Sequence, residues 1–134
     1  MTTINVISAF NKHFFEFVQD VQNAFPDSKD ILITKNTFLA AKKANPKLIV
    51  RIWKKYVVAK YRTEIESGNI DFFINKNYEN DVYKLSYSGK VTEAIDRLRA
   101  PIKEMDFENQ SKAMKYMQNL MKIADLCDIP LDSR

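Results

Sequence analysis

An all-α fold is what this chain predicts, and three observations carry that reading. Glycine occurs twice and proline four times in 134 residues, too few for the tight turns of a β-sandwich or barrel. Bulky apolar residues recur at three- and four-residue steps through most of the chain, the spacing of one helix face. Asn45-Pro46 and Gly68 bracket a long helical pattern, as an N-cap with proline in the first turn and a left-handed C-cap should. The expected architecture is a single compact bundle of five to six helices over residues 1–134, with a central basic and apolar helix at about 46–67.

Each element has its own signal. In the first helix Ile7, Phe10, Phe14, Phe17, Val18, Val21 and Phe25 fall on one narrow stripe, and Pro26 stops it. Asp27 or Ser28 caps a second helix through SKDILITKNTFLAAKKA with a less regular apolar face at Ile31, Leu32, Phe38, Leu39 and Ala41, although the β-branched run at Ile31, Ile33 and Thr34 competes as a strand. The third helix starts at Asn45-Pro46 and closes at Gly68. The stretch NIDFFINKNYENDVYKLSYSG is rich in Asn and aromatics and predicts one or two short helices or turns. Val91, Ile95, Leu98, Ile102 and Met105 keep helical spacing, with a kink or break at Pro101, whose missing N–H leaves the Arg97 carbonyl unbonded. A last helix opens at Asp106, carries Phe107, Met114, Met117, Leu120, Met121 and Ala124 on one side, and runs towards Pro130.

Charge is unevenly distributed along this bundle. From Ile31 to Thr63 there are nine cations (Lys35, Lys42, Lys43, Lys47, Arg51, Lys54, Lys55, Lys60, Arg62) and no carboxylate. The other twelve cations face all seventeen carboxylates, so a basic segment sits in a mildly acidic remainder. On a wheel with about 100° per residue, Leu48, Ile49, Val50, Ile52, Trp53, Tyr56 and Val57 share a wide arc of the central helix. Lys47, Arg51, Lys54, Lys55 and Arg62 occupy the complementary arc, with Val58 in its middle; Lys60 falls on the apolar side, where its stem can pack while the ammonium reaches out to water. Trp53 and Tyr56 therefore point away from the cations, unlike the mixed aromatic and cationic platforms of single-strand binders. The cationic arc also lacks the Gln, Asn or Ser with which a recognition helix reads bases. Its use is contact with an acidic surface, nucleic acid backbone or acidic protein, through Lys42, Lys43, Lys47, Arg51, Lys54, Lys55 and Arg62. The bland alternative is a solvated face, or one paired internally with Glu93, Asp96, Glu104, Asp106 or Glu108.

Catalytic and metal chemistry have no visible basis. His13 is the only histidine and Cys127 the only cysteine, so neither a Cys-His nucleophile nor a zinc site is built from them; His13 reads as a helix-packing side chain and Cys127 as a small buried hydrophobe. Ser88-Gly89-Lys90 lacks the upstream glycine of a phosphate loop. Asn75, Asn77, Glu79 and Asp81 alternate like calcium ligands, but Asn80 replaces the turn glycine and Ser86 the closing glutamate. No enzyme, cofactor or metal is expected. Phe15 lies off the stripe of the first helix, beside Asn11 and Lys12, and meets either a second layer or a partner. No apolar run reaches the roughly 18 to 20 residues of a membrane span and no signal peptide is evident, so the protein is expected to touch no membrane and to stay unsecreted.

ANPKLIVRIWKKYVVAKYRTEIESGNIDFFINKNY, AIDRLRAPIKEM and NQSKAMKYMQNL together resemble short helical proteins of large DNA viruses that infect algae and protists. The resemblance covers most of the chain, and no residue roles transfer with it. It implies a viral accessory or virion-associated protein, located in the cytoplasm or nucleus of an infected cell or in the particle, with viral structural proteins as potential partners. The alternative function is a structural module, a minor capsid, cementing or adaptor protein. It would act through apolar contacts at Phe15 and Phe73 and the aromatics Phe72, Tyr78, Tyr83 and Tyr87 around them.

Overall fold

The computed structural model describes residues 3–75 and 87–127. In chain order they form α1 (Thr3–Ala24), α2 (Lys29–Ala44), α3 (Leu48–Ile52), a π-helical turn (Trp53–Val58), α4 (Ala59–Ser67), α5 (Asp71–Ile74), α6 (Tyr87–Arg97), α7 (Arg99–Lys103) and α8 (Phe107–Leu126). All regular structure among the described residues is helical, so the chain is the all-α bundle expected. None of these helices is long and apolar enough to cross a membrane. The calcium-like alternation beyond Asn75, with Tyr78 and Tyr83, lies outside the described residues, as does Pro130.

The α1 stripe folds as its spacing dictates. Phe10, Phe14, Phe17 and Val18 are wholly buried. Phe14 is the hub of an aromatic cluster, its ring 4.8 Å from Phe38 of α2 and 5.7 Å from Trp53 of the π turn, both nearly edge-on. Full burial of each such ring contributes roughly 1.5–3 kcal/mol, and the edge-to-face geometry suits the ring quadrupoles. α1 packs against α8 and α2, and the buried Met114, Met117, Leu120 and Met121 close the core from α8.

In α2 the helix wins over the competing strand. The Ser28 hydroxyl accepts from the Ile31 N–H at 3.2 Å, and only Ile31, Thr34, Phe38 and Ala41 turn inward. Asn45 turns the chain towards the next element, its Oδ1 accepting from the Lys47 N–H at 3.0 Å, but α3 starts at Leu48 with Lys47 as its N-cap, two residues later than expected. Gly68 ends the element in the left-handed conformation (φ 77°, ψ 20°), its N–H bonded to the Ile65 carbonyl, where a side chain would be strained. The Pro101 break falls at Leu98, between α6 and α7, one residue beyond the carbonyl that the proline leaves unbonded.

The central helix departs from the simple wheel. The Ala59 N–H bonds the Lys54 carbonyl, five residues back, and Tyr61 leaves helical geometry altogether (φ −128°, ψ 25°). A π turn inserts one residue into the helical repeat and moves everything after it by about 100°. Ile65 consequently turns fully inward, although an undisturbed wheel places it among the cations. Val58, central to the expected cationic arc, is also buried. Lys60 is exposed, with its ammonium 5.0 Å from the Tyr56 ring centroid.

A buried polar cluster ties the far end of the bundle together. Arg99 Nε donates to Asp96 at 2.8 Å, with both side chains 3% exposed. The Tyr56 hydroxyl donates to the same carboxylate at 3.1–3.2 Å. Arg99 also donates to the Phe73 carbonyl, and its guanidinium lies 4.3 Å from the Phe73 ring centroid. One arginine thus connects α7, α6, α5 and the π turn. Phe73, a candidate surface contact by sequence, is wholly buried beneath it because a planar cation needs an aromatic face and a carbonyl once it leaves water.

Candidate basic interface

The nine cations of the 31–63 segment divide into an engaged group and an unengaged one. Lys35 Nζ reaches the Gln19 and Gln22 side-chain oxygens at 2.8 and 3.2 Å. Lys54 Nζ donates to the Cys127 carbonyl at 2.6 Å, bonding a carbonyl just past the end of α8 that the helix leaves without a partner. Arg62 grips Asp125 with both terminal nitrogens, at 2.9 and 2.7 Å. Two of the seven expected interface residues, Lys54 and Arg62, therefore fasten α8 to the π turn and α4.

The Arg62 hydrogen bonds hold the Asp125 carboxyl below the usual carboxylate range, against the opposing pull of partial burial. A carboxyl lowered by folding stabilises the native state above its unfolded pKa, and that contribution disappears as pH falls through the folded value. Acid should therefore loosen the α4–α8 contact, by a modest amount because both partners are over a third exposed. Urea midpoints at neutral and acid pH check this: Asp125→Asn should flatten the dependence relative to the wild type.

The unengaged group lies at the other end of the segment. Lys42, Lys43, Lys47 and Lys55 are exposed, and none forms an ion pair with a described carboxylate. Arg51 is half-buried, and its Nε finds no acceptor among the described residues. Lys47, Arg51 and Lys55 follow at four-residue steps, a spacing at which like charges repel by roughly 0.2–0.5 kcal/mol per pair. Three of the five carboxylates expected to compensate these charges are directed elsewhere, and Glu104 and Glu108 form no ion pair with a described cation. Glu93 pairs with Arg97 at 2.7 Å, Asp96 with Arg99, and Asp106 caps α8 by accepting from the Asn109 N–H. Asp125, which does reach the segment, was not singled out by sequence, since it is distant along the chain and on no recognisable charge pattern.

Sequence reasoning also missed what α1 adds to this face. Lys42 Nζ sits 5.5 Å from the centroid of the Phe15 ring, so the aromatic that lay off the α1 stripe meets the basic segment. Lys12, Lys42 and Lys47 line one open groove with Phe15 and Asn11. The adjacency of Asn11, Lys12 and Phe15 was visible in the sequence; their approach to Lys42 depends on the α1–α2 pairing. His13 behaves as a packing residue, its ring 4.9 Å from that of Tyr116 and its Nδ1 3.1 Å from Glu16. Cys127 is buried, and that burial pushes its thiol above the ordinary range, which favours the unreactive protonated form. Among the described residues no three His, Cys, Asp or Glu side chains cluster to hold a metal ion.

In comparisons with protein-family models, curated proteins and solved structures, nothing matches this chain. Its function is read from the geometry of the basic face.

Proposed function

We propose that the chain is a non-enzymatic binding module whose exposed lysines, Lys42, Lys43, Lys47 and Lys55 with the half-buried Arg51, contact a polyanion, nucleic acid backbone first. The observation that carries this reading is that these lysines form no ion pair with a described carboxylate and lie in a segment with no acid of its own, while Glu93 and Asp96 are bonded to Arg97 and Arg99. Charge of this kind raises encounter rates with anionic partners and favours contact over base readout. A small viral accessory or virion-associated protein is the setting that the sequence resemblance implies. Fluorescence anisotropy with random-sequence DNA or RNA at about 50 mM salt should show binding that weakens steeply as salt is added, because each neutralised phosphate releases counterions. Absence of binding at that salt would sink the proposal.

A second reading has one observation in its favour. Leu32, Ile33 and Leu39 are 42–52% exposed on the outer face of α2, more apolar surface than a solvated helix needs. An adaptor or cementing role would use this stripe. In that case Leu32→Ser with Ile33→Ser would abolish assembly with the partner while leaving anion binding intact.

A further inference from the structure

An open groove of about 930 Å³ runs along the seam between α1 and α2. The two helices are antiparallel, since Lys35 meets Gln19 and Gln22 while Lys42 meets Phe15. The stretch of α1 lining the groove, from Ile7 to Asp20, is about 20 Å long at 1.5 Å per residue. The charges in the groove are unevenly placed: Lys12, Lys42 and Lys47 stand towards one end, Glu16 and Asp20 with Lys35 towards the other. Lys12 is exposed like the lysines of the basic face and forms no ion pair with a described carboxylate.

Two features of the groove wall go beyond charge. Phe15, half-buried, brings an aromatic ring within 5.5 Å of the Lys42 ammonium. Asn11, only 3% exposed, donates its Nδ2 to the Pro46 carbonyl at 2.9 Å. That bond fixes which way the amide faces, and its buried Oδ1 finds no donor among the described residues. Cations and an aromatic ring in one open groove match two parts of an unpaired nucleotide: phosphate and base face.

We infer that this groove binds single-stranded nucleic acid, with a base against Phe15 and phosphates on Lys12, Lys42 and Lys47. The inference rests on the polyanion reading above and narrows it to unpaired strands. A duplex keeps its base faces stacked inside, so it meets the same lysines through phosphate alone and leaves Phe15 idle. Base stacking on one aromatic side chain corresponds to about a 5- to 150-fold gain in affinity.

Anisotropy with a labelled single strand of about a dozen nucleotides, and with the corresponding duplex, tests this at about 50 mM salt. The single strand should bind more tightly by about that factor. Phe15→Leu should remove the preference while keeping the duplex affinity and its salt dependence, and circular dichroism reports whether the variant stays folded. Phe15→Trp supplies a second readout that does not depend on the leucine variant: its indole fluorescence should be quenched by the single strand and not by the duplex. Equal affinity for strand and duplex, a folded Phe15→Leu that keeps the preference, or equally tight binding of polyglutamate overturns the single-strand inference and leaves a polyanion contact standing. No binding of any nucleic acid overturns both.

Discussion

Arg99→Ala should destabilise the fold by about 3–5 kcal/mol, the range for removing one partner of a buried ion pair. The residue is 2% exposed, and among its contacts are the Asp96 carboxylate, the Phe73 carbonyl and the Phe73 ring. Its loss leaves Asp96 charged in the interior with the Tyr56 hydroxyl as a remaining neighbour, and leaves the Phe73 carbonyl without this donor. Equilibrium urea denaturation measures the effect as a shift in midpoint at roughly constant slope. The double variant Asp96→Leu with Arg99→Met removes both charges and should be less destabilised than Arg99→Ala, because the larger part of the loss is an uncompensated charge and not a missing attraction. A loss under about 1 kcal/mol for Arg99→Ala, the range of exposed pairs, would show that the pair is in contact with water.

Reversal of Lys42, Lys43 and Lys47 to Glu should have the largest effect on binding. If each lysine neutralises one phosphate, removing three lowers the slope of log affinity against log salt by about 2 for a single strand and nearly 3 for a duplex. The substitutions lie on exposed positions, where changes in stability normally stay within about 0.5 kcal/mol. Affinity should fall while the urea midpoint barely moves. Arg99→Ala is expected to do the reverse at permissive temperature, which separates the residues that hold the fold from those that meet a partner.

Much of this was legible in the sequence where local chemistry decides. The α1 stripe, the Ser28 cap, the turn at Asn45, the Gly68 stop and the break before Pro101 follow from side-chain size, hydrogen-bonding capacity and backbone freedom within a few residues. The π turn was not legible, because it inserts a residue without a glycine or proline to mark it. It moves Val58 and Ile65 from the cationic arc of a simple wheel into the core. Burial of Arg99 and Phe73 was equally hidden: AIDRLRA reads as an ordinary amphipathic turn until α5 and Tyr56 arrive from elsewhere in the chain. The basic segment was recognised as a whole, but its division into engaged and unengaged cations depends on α8, whose Asp125 and Cys127 lie more than sixty residues beyond Arg62 and Lys54. The same limit applies to the groove, where Phe15 and Lys42 meet across the α1–α2 hairpin.

That division is the central claim, and the salt dependence of nucleic acid binding by two matched variants tests it most directly. One variant carries Lys42→Gln, Lys43→Gln and Lys47→Gln; the other carries Lys54→Gln and Arg62→Gln. The first should lose about 2 to 3 from the salt slope at unchanged stability, and the second should keep the wild-type slope while its urea midpoint falls. Equal losses of slope in both variants would show that Lys54 and Arg62 also meet phosphate, and would contradict their assignment to the fold.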